Sequence, residues 1–163
     1  MGDLNTVTDV FSVAPVSGSR FVSFAADSGG DVYATDSLGD SVFELKSGGQ
    51  WEQAWKMPGG CGAGGIATDA SDDVYVACLK TNLVDEFTTG GSLLQSFAVP
   101  PPTGGPEELT RGPDGKIYGT LFNGGGVLQL DATARSLTIY RATTMLKTEG
   151  IAFGPPLPMQ LLV

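Results

Sequence analysis

Histidine is absent from the chain. That removes an imidazole general base, Ser-His-Asp triads and histidine-ligated zinc. Cysteine is scarce: Cys61 and Cys78 are the two present, too few to close a zinc site without histidine. Basic residues are also few, nine Lys and Arg against 18 Asp and Glu, for a net charge of −9. A chain of this sign is repelled by phosphate backbones and by anionic lipid surfaces, which argues against nucleic acid and membrane partners. No apolar run approaches the roughly 20 residues of a membrane span. Residues 1–5 have neither a basic start nor an apolar stretch, so no signal peptide is read there. Helical periodicity is missing as well, and no window repeats its apolar residues at 3.6-residue spacing.

What the chain has is glycine, 24 residues of it, placed between short β-rich runs. The stretch from Gly64 to Phe97 shows the grammar. A small-residue turn leads into Ile66-Ala67. The run Val74-Tyr75-Val76-Ala77 follows a polar turn. Val84 and Phe87 follow another, and a Gly90-Gly91 turn precedes Leu93 to Phe97. The rest of the sequence repeats this pattern. Val32, Val74 and Ile117 lie 42 and 43 residues apart, and each is followed by tyrosine. Phe24, Ile66, Leu109 and Ile151 keep the same register, as do Val42, Val84 and Val127, and Leu45, Phe87 and Leu130. Four columns in one register, with four strands per unit, predict an all-β propeller with antiparallel blades. The blades span 21–55, 64–97 and 107–140, and an incomplete blade combines 149–163 with 6–14, so the ring is incomplete. About 14 strands are expected. The aromatic residues of the last strand in each blade, Trp51, Trp55, Phe97 and Tyr140, read as inter-blade packing.

These residues also carry a resemblance. Gly65-Ile66-Ala67-x-Asp69, then Val74-Tyr75-Val76-Ala77, then Asn82-x-Val84-x-x-Phe87 resembles an NHL-type repeat. Arg111 to Tyr118 and Glu149 to Pro155 are similar to repeats of gluconolactonase/regucalcin-like and streptogramin-lyase-like propellers. The match departs from the NHL pattern where arginine usually precedes the third-strand valine, since Leu83 and Gly126 stand there. The blade count falls short of a closed ring and leaves three closures open: a piece of a larger, six-bladed ring, a small four-bladed ring closed by pairing 6–14 with 159–163, or a ring completed by a second chain. An open arc with unpaired strand edges predicts self-association. The composition is similar to that of exported bacterial propellers, and the compartment stays open.

The candidate chemistry is carboxylate and amide oxygen. Glu107, Glu108 and Glu149 precede or begin inner strands, which line a propeller channel. The gluconolactonase-like resemblance implies a divalent ion, Ca²⁺ or Mg²⁺, held by Glu149 with Asn123 and Asn82. Such an ion would act as Lewis acid and water activator in lactone hydrolysis. The absence of histidine argues against a streptogramin-lyase-like activity. The favoured expectation is a binding or scaffold module for a small molecule or protein, without a complete catalytic set and without a cofactor. The lactonase-like hydrolase is the alternative. Asp27, Asp69 and Asp114 are expected to accept backbone hydrogen bonds in turns, and Asp40 and Asp85 to face solvent. Gly60, Gly62 and Gly65 spell a dinucleotide-like motif, but the run leads into a strand, so no helix N-terminus awaits a phosphate. Cys61 enters an inner strand and Cys78 ends the next one, which brings both to one end of the sheet. They form either a disulfide or two free thiols, and the reading favours free thiols.

Overall fold

The computed structural model describes residues 17–46, 49–101, 103–122, 124–141 and 148–153. Every regular element in it is a strand, twelve in all among the described residues. They form three four-stranded antiparallel sheets, each in simple meander order. Blade 1 holds β1 (Phe21–Ala26), β2 (Val32–Asp36), β3 (Ser41–Leu45) and β4 (Trp51–Lys56). Blade 2 holds β5 (Ala63–Thr68), β6 (Val74–Cys78), β7 (Leu83–Phe87) and β8 (Leu93–Ala98). Blade 3 holds β9 (Pro106–Arg111), β10 (Ile117–Leu121), β11 (Gly126–Asp131) and β12 (Ser136–Arg141). The first strands, β1, β5 and β9, lie side by side and form the inner wall. The segments 6–14 and 154–163, assigned to a closing blade from the sequence, lie outside the described residues.

Side chains alternate between the two faces of a strand, so each repeated column faces either the preceding or the following blade. Tyr33, Val42 and Trp55 of blade 1 pack against Ile66, Val74 and Phe87 of blade 2. One repeat later, Tyr75, Val84 and Phe97 pack against Leu109, Ile117 and Leu130 of blade 3. The two interfaces are the same apolar arrangement used twice, and together they hold the buried core. Trp55 shows how the outer strand takes part: its ring lies 5.5 Å from that of Phe87 and 6.2 Å from that of Tyr33. Tyr140 holds the equivalent position in blade 3 and is exposed, which corrects the packing role expected of it among the described residues.

Two further expectations are corrected between blades 1 and 2. Cys61 and Cys78 are not free thiols but a buried disulfide, with Cα atoms 4.5 Å apart. It ties the linker entering blade 2 to the end of β6, and closing a loop of this size is worth about 3 kcal/mol. Asp85 is not solvated either. It is buried on β7, on the strand face of Leu83 and Phe87, both part of the cluster against blade 1. Asp40, half-buried at the β2–β3 turn, accepts the Ala63 N–H at 2.9 Å and so joins blade 1 to the start of β5.

Burial raises the Asp85 carboxyl above its usual range, partly offset by a hydrogen bond from Ser96. The sign of the pH effect follows. The stability held by protonated Asp85 is fully present below the ordinary carboxylate value of about 3.9 and is lost as pH rises through the raised folded value. Asp73 and Glu108 are displaced upward too, first by burial, and act in the same direction. Asp85→Asn is therefore expected to raise the melting temperature at pH 8 and to change it little at pH 4. Thermal unfolding followed by circular dichroism at the two pH values checks this.

Candidate functional site

The inner wall brings polar groups together near the axis. The Ile66 N–H donates to Ser23 Oγ at 3.4 Å, and Ser23 donates to Glu108 Oε2 at 3.4 Å, so one hydroxyl links all three blades. Glu108 N–H is held in turn by Thr120 Oγ1 at 3.1 Å. The Thr35 hydroxyl donates to the Gly64 carbonyl at 2.5 Å, a second tie between blades 1 and 2. Burial pushes the Glu108 carboxyl up, Ser23 pulls it partly back, and neighbouring Glu107 adds to the rise. This wall forms because β5 carries two glycines. A Cβ on Gly65 would sit 2.5 Å from Glu107 O and from Leu109 N, so only glycine lets β9 approach β5 this closely.

The residues first proposed as metal ligands occupy different settings. Asn82 is exposed at the β6–β7 turn with φ 56°, a left-handed conformation that asparagine tolerates, and its carbonyl accepts Val99 N–H at 2.9 Å. Glu149 is exposed at the start of 148–153, a segment held on blade 3 by Thr148, whose hydroxyl bonds to Leu121 and Gly126. Asn123 lies outside the described residues.

The opposite end of the sheets carries a feature the sequence reading passed over. In each blade the tyrosine of the second strand turns its hydroxyl to an acid in the β-turn before it and to a residue on the third strand. Tyr33 reaches Asp27 at 3.4 Å and Glu44 at 3.3 Å. Tyr75 reaches Asp69 at 3.2 Å and Glu86 at 2.9 Å. Tyr118 donates to Asp114 at 2.9 Å and accepts from Gln129, which replaces the glutamate. The turns match as well: Asp27, Asp69 and Gly112 each donate a backbone N–H four residues ahead. Because Gly112 stands where the other blades have aspartate, Asp114 supplies the carboxylate from inside the turn. As expected, Asp27, Asp69 and Asp114 each also accept a backbone N–H of the turn. Burial first, then the adjoining carboxylates, hold the Tyr33 and Tyr75 phenols well above the usual range. The signal was available, since Glu44, Glu86 and Gln129 recur at the same interval as the tyrosines.

Between blades 1 and 2 these turns frame a polar cleft of about 700 Å³. Among the described residues five carboxylates line it, from Asp27, Asp31, Glu44, Asp72 and Asp73, against one cation, Lys46, which pairs with Glu44 at 3.5 Å. Asp72 clamps its rim by accepting both the Ser28 N–H at 2.8 Å and the Ser28 hydroxyl at 2.6 Å, which hold its carboxyl below the ordinary range. Next to it, Asp69, Asp73 and Glu86 place carboxylate oxygens within 4.8 Å of one another. Burial and then the charges of Asp69, Glu86 and Asp72 drive the Asp73 carboxyl upward.

No family model and no curated protein matches the sequence. Solved structures do match in fold. Virginiamycin B lyase from Staphylococcus aureus aligns with TM-score 0.68 at 16% identity, over 78% of this chain and 43% of that one. A gluconolactonase from Xanthomonas campestris aligns with TM-score 0.61 at 14% identity, over 73% of this chain and 46% of that one. Regucalcin from Agrobacterium tumefaciens, a calcium-binding protein, aligns with TM-score 0.51 at 20% identity, over 61% and 37%. All are six-bladed propeller-type folds, and the aligned part of this chain spans less than half the length of each. The fold is thus that of a β-propeller, and identities this low carry nothing beyond the fold.

Proposed function

We propose that the chain is a propeller-type binding module whose ligand is cationic and enters the cleft between blades 1 and 2. The observation that carries this reading is the cleft's lining, five carboxylates with Lys46 as their one cation among the described residues. The net charge of −9 adds a long-range field of the same sign, which concentrates cations at the surface. Spermidine is the probe. Calorimetry at low salt should show saturable binding that weakens with added salt and is reduced in Asp31→Asn and Glu44→Gln. Absence of saturable binding by the wild-type chain overturns the reading.

The second reading is a divalent-metal, lactonase-like hydrolase. It draws on two features: the gluconolactonase and regucalcin folds, and the Asp69, Asp73 and Glu86 trio. Oxygen donors of this type suit Ca²⁺ or Mg²⁺. Titration with Ca²⁺ separates the two metal assignments. Loss of tight binding in Glu149→Gln favours the channel mouth with Asn82 and Asn123, whereas loss in Glu86→Gln favours the turn-side trio.

We also propose self-association through the end faces of the sheet arc. Phe24 is 57% exposed although its column mates Ile66 and Leu109 are 2% and 6% exposed. Tyr140 is 55% exposed against 9% for Trp55 and 6% for Phe97. Apolar columns left open in this way are a drive to associate. Light scattering should give a mass above that of one chain, and a clean monomer mass would remove the proposal.

A further inference from the structure

Each of the two blade interfaces is closed on its outside by the last strand of one blade and the residue just after it. Trp55 on β4 and Met57 beyond it are buried in the cluster between blades 1 and 2. Phe97 on β8 and Val99 beyond it are buried in the cluster between blades 2 and 3. A proline follows at once in both, Pro58 and Pro100, and the chain then enters the first strand of the next blade. The closing element is therefore an aromatic residue, a spacer and an apolar residue, since alternate residues of a strand share a face. The same element stands ahead of blade 1. Phe11, Ser12 and Val13 are followed by Ala14 and Pro15. Phe11 precedes Phe24 by 13 residues, as Trp55 precedes Ile66 by 11 and Phe97 precedes Leu109 by 12. Residues 1–16 lie outside the described residues, whereas the face they would meet is described. On the side of blade 1 turned away from blade 2, the Phe21 ring lies 5.2 Å from that of Phe43 and 4.9 Å from that of Trp51. Leu45, paired with Trp51, is only half-buried there, while Phe87, its mate one repeat on, is buried under the Trp55 ring at 5.5 Å. Gly91 completes the Trp55 seat, because a Cβ on it would lie 2.9 Å from that side chain. Gly49 holds the same place in blade 1, where the atoms nearest an added Cβ belong to Lys46 of its own turn.

We propose that the chain's own segment 6–14 docks on the outer half of the open face of blade 1, with Phe11 over Leu45 and Gly49 and with Val13 in the place that Met57 and Val99 hold. Two observations choose this occupant over a second copy or a foreign peptide. The first is the length of the connection. Residues 15–20 join the segment to β1, six residues, against six between β4 and β5 and seven between β8 and β9. A connection this short holds the segment beside blade 1 at little entropic cost. The second is continuity: the contact repeats an interface that the chain already makes twice, with an aromatic ring closing over an apolar residue of the next blade's third strand. The docking leaves Phe24 open. Its mates Ile66 and Leu109 lie on β5 and β9, which are approached by the first and second strands of the preceding blade and not by its last. Self-association through Phe24 therefore stands or falls separately.

Nuclear Overhauser spectra of the full, carbon-13-labelled chain test the contact directly. The Phe11 ring protons should show cross-peaks to the Leu45 methyls, and their absence overturns the proposal. An isotope-filtered spectrum of labelled chain mixed with unlabelled chain reads contacts between copies. Phe11–Leu45 cross-peaks found in that spectrum would put a second copy's segment on the face and sink the idea of docking within one chain. Stability gives the second readout. Phe11→Ala should lower the urea midpoint, and Ser12→Ala, on the other side of the segment, should leave it unchanged. A Phe11→Ala midpoint equal to that of the wild type counts against the docking as surely as a missing cross-peak. Light scattering on the wild type keeps the two proposals apart: a monomer mass removes association through Phe24, and the Phe11–Leu45 cross-peaks are still expected.

Discussion

Val84→Asp is expected to unfold the chain at room temperature. Val84 is wholly buried between blades 2 and 3, packed among Tyr75, Phe97, Leu109 and Leu128. A carboxylate there has neither water nor a cation, and an unpaired buried charge costs about 3 kcal/mol or more. Domains of this size hold only about 5–15 kcal/mol, so the loss is a large fraction of the total. Val42→Asp should behave alike, because Val42 occupies the same column in the interface between blades 1 and 2. Val22→Asp is the control, since Val22 is an exposed residue of the same type on β1. Urea unfolding followed by tryptophan fluorescence gives the comparison. Unchanged midpoints for Val84→Asp and Val42→Asp would mean that the repeated columns are not core.

Gly65→Ala, a single added methyl, should destabilise the chain by about 3 kcal/mol, the upper end for overpacking. The added carbon meets backbone rather than a flexible side chain: Glu107 O and Leu109 N at 2.5 Å and Glu108 Cα at 2.6 Å. Relief requires β9 to move away from β5, which also pulls Glu108 from Ser23 and breaks the three-blade link near the axis. Gly59→Ala tests the specificity of this effect, because nothing lies within 4 Å of the carbon it adds. Equal midpoints for the two variants would show that the inner strands are not in close contact at Gly65.

The strand grammar was legible because its causes are local. Turn residues such as Gly90-Gly91 and Asp27 set where strands end, and the alternation of Val74, Tyr75 and Val76 sets which way each side chain points. The repeat interval then named the columns, and Val42 and Val84 are buried where the interval places them. The site was less legible. Asn82 stands out as a ligand only through the gluconolactonase-like resemblance, and the fold adds that it takes a left-handed turn conformation. Tyr33 and Tyr75 are legible in the sequence only as a repeating pair, because the sequence does not say that a hydroxyl at the edge of a buried ring will find two carboxylates.

By itself, the sequence determined an all-β chain of four-stranded repeats, the register of their columns, and an acidic surface without imidazole chemistry. These follow from composition, strand alternation and turn spacing, which act within one repeat. Tertiary structure alone decided that Cys61 and Cys78 are joined, that Asp85 is buried beside them, and that Ser23 reaches Glu108 across 85 positions of sequence. Each of these depends on how one sheet stacks on the next. That stacking is set by many weak apolar contacts summed over the interface, and no pair of residues in the sequence encodes it alone.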